Sequence, residues 1–128
     1  MMAGYWPNAT GSFAERTNQL PKLVFSSTLD ETPWGDWDNA RPLNGTLSEE
    51  VAQLKNEPGN DMVIYGSGSI VQALSQLGAI DEYRLVVNPV VLGAGRPLFD
   101  GVDRRNVKLI ESLAWPSGCV ALTYESVA

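Results

Sequence analysis

Two glycines and two serines near the middle of the chain are the residues best suited to holding a ligand. An apolar run at 62–65 leads directly into Gly66, Ser67, Gly68 and Ser69, and a helical pattern of apolar residues follows. Glycine lets a backbone approach a ligand closely, and the first N–H groups of a helix attract anions. The sequence therefore predicts a phosphate-binding turn.

The glycine–serine motif has limited specificity. Val71 stands where a third glycine would complete the pattern G-x-G-x-x-G, and no Walker lysine follows. A tight turn that uses glycine for its backbone geometry alone explains the same residues equally well. The motif by itself leaves both explanations open.

Three hydroxyl side chains, those of Ser26, Ser27 and Thr28, lie at the end of another predicted strand. If this strand and the run at 62–65 belong to one parallel sheet, both polar loops meet at its carboxyl edge, where open α/β sheets bind ligands. A Ser/Thr cluster more often forms a turn that bonds its own backbone. Together with the glycine–serine turn, the hydroxyls predict one ligand crevice.

Arg96 is a third candidate for ligand binding, because it follows the glycines Gly93 and Gly95 at a predicted strand end. Its planar guanidinium could pair with a ligand phosphate. The alternative is that the glycines only turn the chain out of the strand, and we expect Leu98 and Phe99 to fill the core.

Composition excludes several classes of protein. The 128 residues include nine Lys and Arg against fifteen Asp and Glu, and the net charge of −6 disfavours nucleic acid and membrane partners. The chain has no histidine and one cysteine, so we expect no metal site and no histidine-based catalysis. The lone Cys119 and the lack of a long apolar segment indicate a cytoplasmic protein.

The elements that must position these residues alternate in type. β-rich composition predicts strands at 22–27 and 62–65, while helical spacing predicts one helix beginning near Thr46 and another that Gly78 ends. Between the first strand and the first helix, we expect a loop at 30–42 that two tryptophans, Trp34 and Trp37, pack down.

The rest of the chain is rich in strand patterns. The run at 83–92 predicts two strand halves around Asn88-Pro89, and the segments at 107–111 and 119–125 predict a closing hairpin. We therefore expect a single α/β domain over residues 1–128, with a mostly parallel central sheet and a C-terminal antiparallel hairpin.

Several segments in this order, KLVFSSTL, a Trp-Asp-Asn loop, IYGSGSIVQALSQLGAIDEYRLVVNPVVLGAGRPLF and SGCVALTYE, resemble one family. It is the dihydrofolate-reductase-like family, which includes the reductase domain of bifunctional riboflavin biosynthesis deaminase-reductase proteins. The resemblance implies a three-layer α/β/α sandwich that uses NADPH. It also implies a set of cofactor-binding residues, which are Ser26, Ser27, Thr28, Ile64, Gly66, Ser67, Gly68, Ser69 and Ile70.

In this family the glycine–serine turn holds the cofactor diphosphate, the hydroxyls at 26–28 lie near the adenosine ribose and its 2′-phosphate, and Ile64 would lie near the nicotinamide. The implied reaction is hydride transfer to a small-molecule substrate: a pteridine, a folate-like compound or a pyrimidine precursor of riboflavin. The resemblance assigns no catalytic residue in this chain.

The family's first strand and helix and its Gly-Arg-x-Thr-Tyr-Glu turn have no counterpart in this sequence. We therefore expect an N-terminally truncated family domain that binds NADPH weakly and pairs with a second copy as a homodimer. The alternative is a catalytically inactive truncated relative that acts as a nucleotide-binding or structural homodimeric module.

Overall fold

Short helices and strands follow one another in small groups along the chain in the structure, a computed structural model that describes residues 2–127. The helices are α1 (Met2–Tyr5), α2 (Ser12–Gln19), α3 (Leu47–Asn56) and α4 (Gly68–Gln76), with a 3₁₀ turn at Trp6–Asn8. The strands are β1 (Lys22–Phe25), β2 (Ala40–Leu43), β3 (Glu82–Val87), β4 (Val107–Ala114) and β5 (Val120–Ser126). No helix among the described residues is both long and apolar enough to cross a bilayer. The α/β class is confirmed.

The chain divides after Asn56 into two units, and each has its own small sheet. We call the part up to Asn56 the N-terminal unit and the part from Glu57 the C-terminal unit. In the N-terminal unit, β1 and β2 pair in parallel. In the C-terminal unit, three antiparallel strands lie in the order β3-β5-β4, which confirms the closing hairpin. The single domain over residues 1–128 stays a prediction.

The buried side chain of Asn18, 4% exposed, joins the elements of the N-terminal unit. Its amide donates to the carbonyl of Trp6 at 2.9 Å, and its side-chain oxygen accepts from the indole N–H of Trp34 at 2.7 Å. Its main-chain carbonyl accepts from the Lys22 amine at 2.5 Å and from the Asn39 amide at 2.7 Å. Because unpaired buried polar groups are costly, this network fixes the tryptophan loop against α2 and β1.

Only one of the two tryptophans in this loop is an anchor. Trp34 is buried, and the Lys22 amine lies 4.7 Å from the centre of its ring. Partial burial lowers the pKa of Lys22 from its usual value. Trp37 is 39% exposed. The predicted anchoring role is therefore confirmed for Trp34 and wrong for Trp37.

Helix α4 is attached to β3 by a hydrogen bond between side chains. The hydroxyl of Tyr83 donates to the hydroxyl of Ser75 at 2.9 Å, and Ser75 is 1% exposed. On the other side, the Tyr83 ring meets the ring of Phe99 edge-on, with the centroids 5.6 Å apart. Leu74 is the other buried residue of α4. These contacts form the core of the C-terminal unit.

The predicted helix boundaries are confirmed. α4 ends at Gln76, and the predicted terminating glycine, Gly78, follows with a φ of +68° that suits glycine; the Ala79 N–H donates to the Leu74 carbonyl at 2.9 Å. α3 begins directly after Thr46, where a capping residue was expected.

The structure departs from the predicted mostly parallel central sheet, because β1 with β2 is the only parallel pair among residues 2–127. Contrary to prediction, 62–65 and 90–92 form no strand. Neither segment has a paired strand in the C-terminal unit, and an apolar β-branched run does not hold a strand conformation without such a partner. β3 ends at Val87, just before Asn88 and Pro89, since proline cannot donate to a ladder. The three-layer sandwich stays a prediction.

Two elements have no clear signal in the sequence. α2 buries only Ala14 and Asn18, so its apolar spacing is weak. β2 lies partly inside the segment predicted to be a loop, and it contains Pro42, a residue that strands tolerate mainly at edges. Its pairing with β1, rather than its composition, makes it a strand.

Removing the Tyr83 hydroxyl tests the attachment of α4. Tyr83→Phe leaves the buried Ser75 hydroxyl without its donor, so we expect the free energy of unfolding to fall by about 1–3 kcal/mol. Ser75→Ala removes the same hydrogen bond, so the double variant should lose less stability than the two single losses combined. Urea denaturation of the four proteins measures these changes. Strictly additive losses would contradict a coupling between the two hydroxyls.

Candidate functional site

The first turn of α4 carries two unpaired N–H groups. Ser67 caps the helix with an extended backbone, and its carbonyl accepts from the N–H groups of Ile70 at 3.1 Å and Val71 at 3.2 Å. Among residues 2–127, the N–H groups of Gly68 and Ser69 have no acceptor. Such groups, together with the positive end of the helix dipole, favour an anionic ligand.

The two glycines of the turn play different roles. Gly66 has a φ of +138°, a conformation that L side chains rarely adopt, so the backbone itself requires glycine there. Gly68 is not among the residues with positive φ, and a Cβ atom at this position would meet no heavy atom within 4 Å. Turn geometry therefore explains Gly66 but not Gly68, whose missing side chain leaves open space beside the first turn of α4.

The serines of the turn bond each other instead of the helix. The hydroxyl oxygens of Ser67 and Ser69 lie 2.6 Å apart, and both side chains are exposed. Neither hydroxyl caps a backbone N–H of α4 within the described part of the chain. Both are placed to turn toward an acceptor at the start of the helix. The N–H of Ile70 is already bonded, so a ligand contact at Ile70 would use its half-buried side chain.

The hydroxyl cluster forms a turn of its own. The Ser26 hydroxyl accepts from the N–H groups of Thr28 at 3.2 Å and Leu29 at 3.1 Å, which is the more common role of such a cluster. Ser27 and Thr28 have exposed side chains. All three hydroxyls belong to the N-terminal unit, whereas the glycine–serine turn belongs to the C-terminal unit. The shared crevice stays a prediction.

Ile64 lies in the unpaired apolar segment at 62–65 and is exposed. It offers a ligand only apolar contact. Leu98 and Phe99 are also exposed, so the prediction that they fill the core is wrong, although Phe99 keeps its ring contact with Tyr83. Within residues 2–127, no cluster of three potential metal ligands is present.

A segment that the sequence did not single out lies along α4. We call residues 97–105 the strap. The Gln72 amide donates to the Pro97 carbonyl at 3.3 Å, and the Gln76 side chain exchanges two hydrogen bonds of 2.8 Å with Asp103. The guanidinium of Arg105 donates to the Gln76 carbonyl at 2.6 Å. The one signal in the sequence is the spacing of Gln72 and Gln76, which places both on one helix face.

These features define an α/β fold in which a glycine–serine turn opens a helix that a strap holds. The chain belongs to the RibD C-terminal domain family, because the family's sequence model matches residues 1–121. This match confirms the resemblance found in the sequence.

Two proteins of Bacillus subtilis (strain 168) are similar in sequence. Uncharacterized protein YyaP is 40% identical over 104 residues, which cover 80% of this chain and 53% of YyaP. Uncharacterized protein YwjB is 46% identical over 49 residues, covering 38% of this chain and 28% of YwjB. The chain thus spans about half the length of YyaP.

Two solved structures have a similar fold. A protein of Shewanella sp. PV-4, named as a candidate riboflavin biosynthesis protein, matches with a TM-score of 0.76 and 28% identity over 86% of this chain and 62% of that one. A pyrimidine reductase-like protein of Corynebacterium diphtheriae matches with a TM-score of 0.66 and 16% identity, over 98% of this chain and 71% of that one. The second similarity concerns the fold alone.

Proposed function

We propose that this domain is an NADPH-dependent reductase of the riboflavin-pathway type, acting on a pyrimidine or a related pteridine or folate-like ring. The observation that carries the proposal is the pair of unpaired N–H groups at Gly68 and Ser69, beside the open space that Gly68 leaves. Family membership and the name of the similar Shewanella structure support the choice of reaction and substrate.

The residues of the turn fit the diphosphate of NADPH. Phosphate oxygens accept hydrogen bonds, and this turn offers two free N–H donors and two exposed hydroxyls at a helix N-terminus. The residues proposed to hold the diphosphate are Gly66, Ser67, Gly68, Ser69 and Ile70. A Cβ atom at Gly66 or Gly68 would meet no heavy atom within 4 Å, so space for a ligand atom lies beside both glycines.

The other proposed cofactor contacts are weaker. Ser27 and Thr28 have exposed hydroxyls that would contact the ribose and its 2′-phosphate, while the Ser26 hydroxyl accepts the hydrogen bonds of the turn that carries them. Ile64 would offer an apolar surface to the nicotinamide ring and would limit access of water on that side. NADPH, when bound, supplies the hydride. The chain's own residues bind and orient it, and no acid–base residue is assigned.

We also propose that the two units form one domain, since the family match covers residues 1–121, which lie on both sides of the division after Asn56. One cooperative unfolding transition is expected, and two separate transitions would contradict this.

We propose that the protein is cytoplasmic, because the lone Cys119 suits a reducing compartment. Fractionation of the source cells would check this.

We further propose that the protein forms a homodimer through the open face of its antiparallel sheet. Val86 and Leu113 both pair with Ala121, so the three side chains form one apolar row. Val86 and Leu113 remain 53% and 50% exposed. Two-fold pairing is the commonest way to cover such a surface. Light scattering at micromolar concentration should give twice the chain mass, and a stable 13.9 kDa monomer would exclude the dimer.

The proposed function predicts that a side chain at Gly68 blocks the cofactor. We expect NADPH to bind with micromolar or weaker affinity, and Gly68→Val to weaken it by more than about tenfold, because the new side chain fills the space beside the turn. Ser67→Ala removes one hydrogen bond, so it should cost at most about 0.5–1.5 kcal/mol, or about tenfold in affinity. Isothermal titration measures both.

Melting temperatures serve as the control. The Cβ of Gly68→Val meets no protein atom within 4 Å, so the variant should melt near the wild type without ligand. A large loss of stability in Gly68→Val would instead assign this glycine to the turn alone. If the unmodified protein binds no NADPH, the proposed function is wrong.

A further inference from the structure

The strap places Arg96 near the start of α4. Its contacts follow the helix in chain order, because Pro97 bonds Gln72 and Asp103 bonds Gln76, one turn further on. Arg96 immediately precedes Pro97, and Gln72 lies only about 6 Å along the helix axis from Gly68, at 1.5 Å per residue. Arg96 therefore lies next in the chain to a residue held about one helical turn from the start of α4.

Arg96 is also available for a ligand. The C-terminal unit has five basic residues, and three of them are engaged: Arg84 with Glu82, Lys108 with Glu125, and Arg105 with the carbonyl of Gln76. Within residues 2–127, Arg96 and Arg104 have no hydrogen bond or ion pair. Arg104 lies beside Asp103, at the opposite end of α4.

The charge of the chain makes a cation at this site useful. The net charge of −6 disfavours an anionic ligand, and α4 itself contains no Lys or Arg. Backbone N–H groups and hydroxyls supply only partial charges, whereas a guanidinium supplies a full charge and a planar fork that matches phosphate oxygens.

We propose that Arg96 is a cofactor-binding residue that pairs with the anionic group held at the start of α4. This inference rests on the proposed function, because that function places the diphosphate there. The strap then has a binding role: through Gln72 and Gln76 it fixes the distance between the guanidinium and the first turn of α4.

Variants of two arginines, Arg96 just before the strap and Arg104 within it, test this role. We expect Arg96→Gln to weaken binding of NADPH and of inorganic pyrophosphate by about tenfold or more, since hydrogen bonds to charged groups are the stronger ones. Arg104→Gln removes the same charge at the other end of α4 and should change either affinity less than twofold. Arg96→Lys keeps the charge but loses the fork, so its affinity should be intermediate. Isothermal titration and melting temperatures are measured on the whole chain.

The outcomes separate the two proposals. If the unmodified protein binds NADPH and Arg96→Gln binds as well as Arg104→Gln, the role of Arg96 is wrong and the proposed function stands. If Arg96→Gln and Arg104→Gln lose the same amount of affinity, the loss is a general effect of charge, and the role of Arg96 is again wrong. If the unmodified protein binds neither NADPH nor pyrophosphate, the proposed function fails and Arg96 fails with it.

Discussion

The hydrogen bond from Tyr83 to the buried Ser75 is the constraint on which the proposed site depends. It fixes α4 against β3, at a point in the middle of the C-terminal unit where a hydroxyl without a partner would be costly. With the helix held there, its first turn and its exposed glutamine face have fixed positions. The turn can then offer N–H groups to an anion, and the glutamines can hold the strap.

This arrangement predicts that the proposed site binds its ligand weakly. The donors at Gly68 and Ser69 are exposed, and they work against the negative charge of the chain. A single loop hydroxyl or helix dipole contributes little in water, so affinity must come from several groups acting on one phosphate group. Family membership supports the proposed ligand, while the packing around α4 explains how a small, acidic chain could hold it.

Local signals made much of the fold predictable. Thr46 and Gly78 mark helix ends through their own backbone preferences, and the closing hairpin follows from alternation around a turn. β2 and the strap could not be predicted, because partners distant in sequence hold them in place. The run at 62–65 shows the converse: it has strand composition but no partner strand. In the site, the glycine–serine pattern predicted the turn, but only the structure distinguishes the backbone requirement of Gly66 from the open space at Gly68.

The most direct test of the central claim follows the amide resonances of Gly68 and Ser69 in ¹H–¹⁵N spectra during titration with NADPH. Binding at the start of α4 predicts that these two resonances shift among the most and saturate with the measured affinity, while resonances from the middle of β4 stay in place. NADPH binding that leaves both resonances unchanged, or the absence of any binding, would contradict the account.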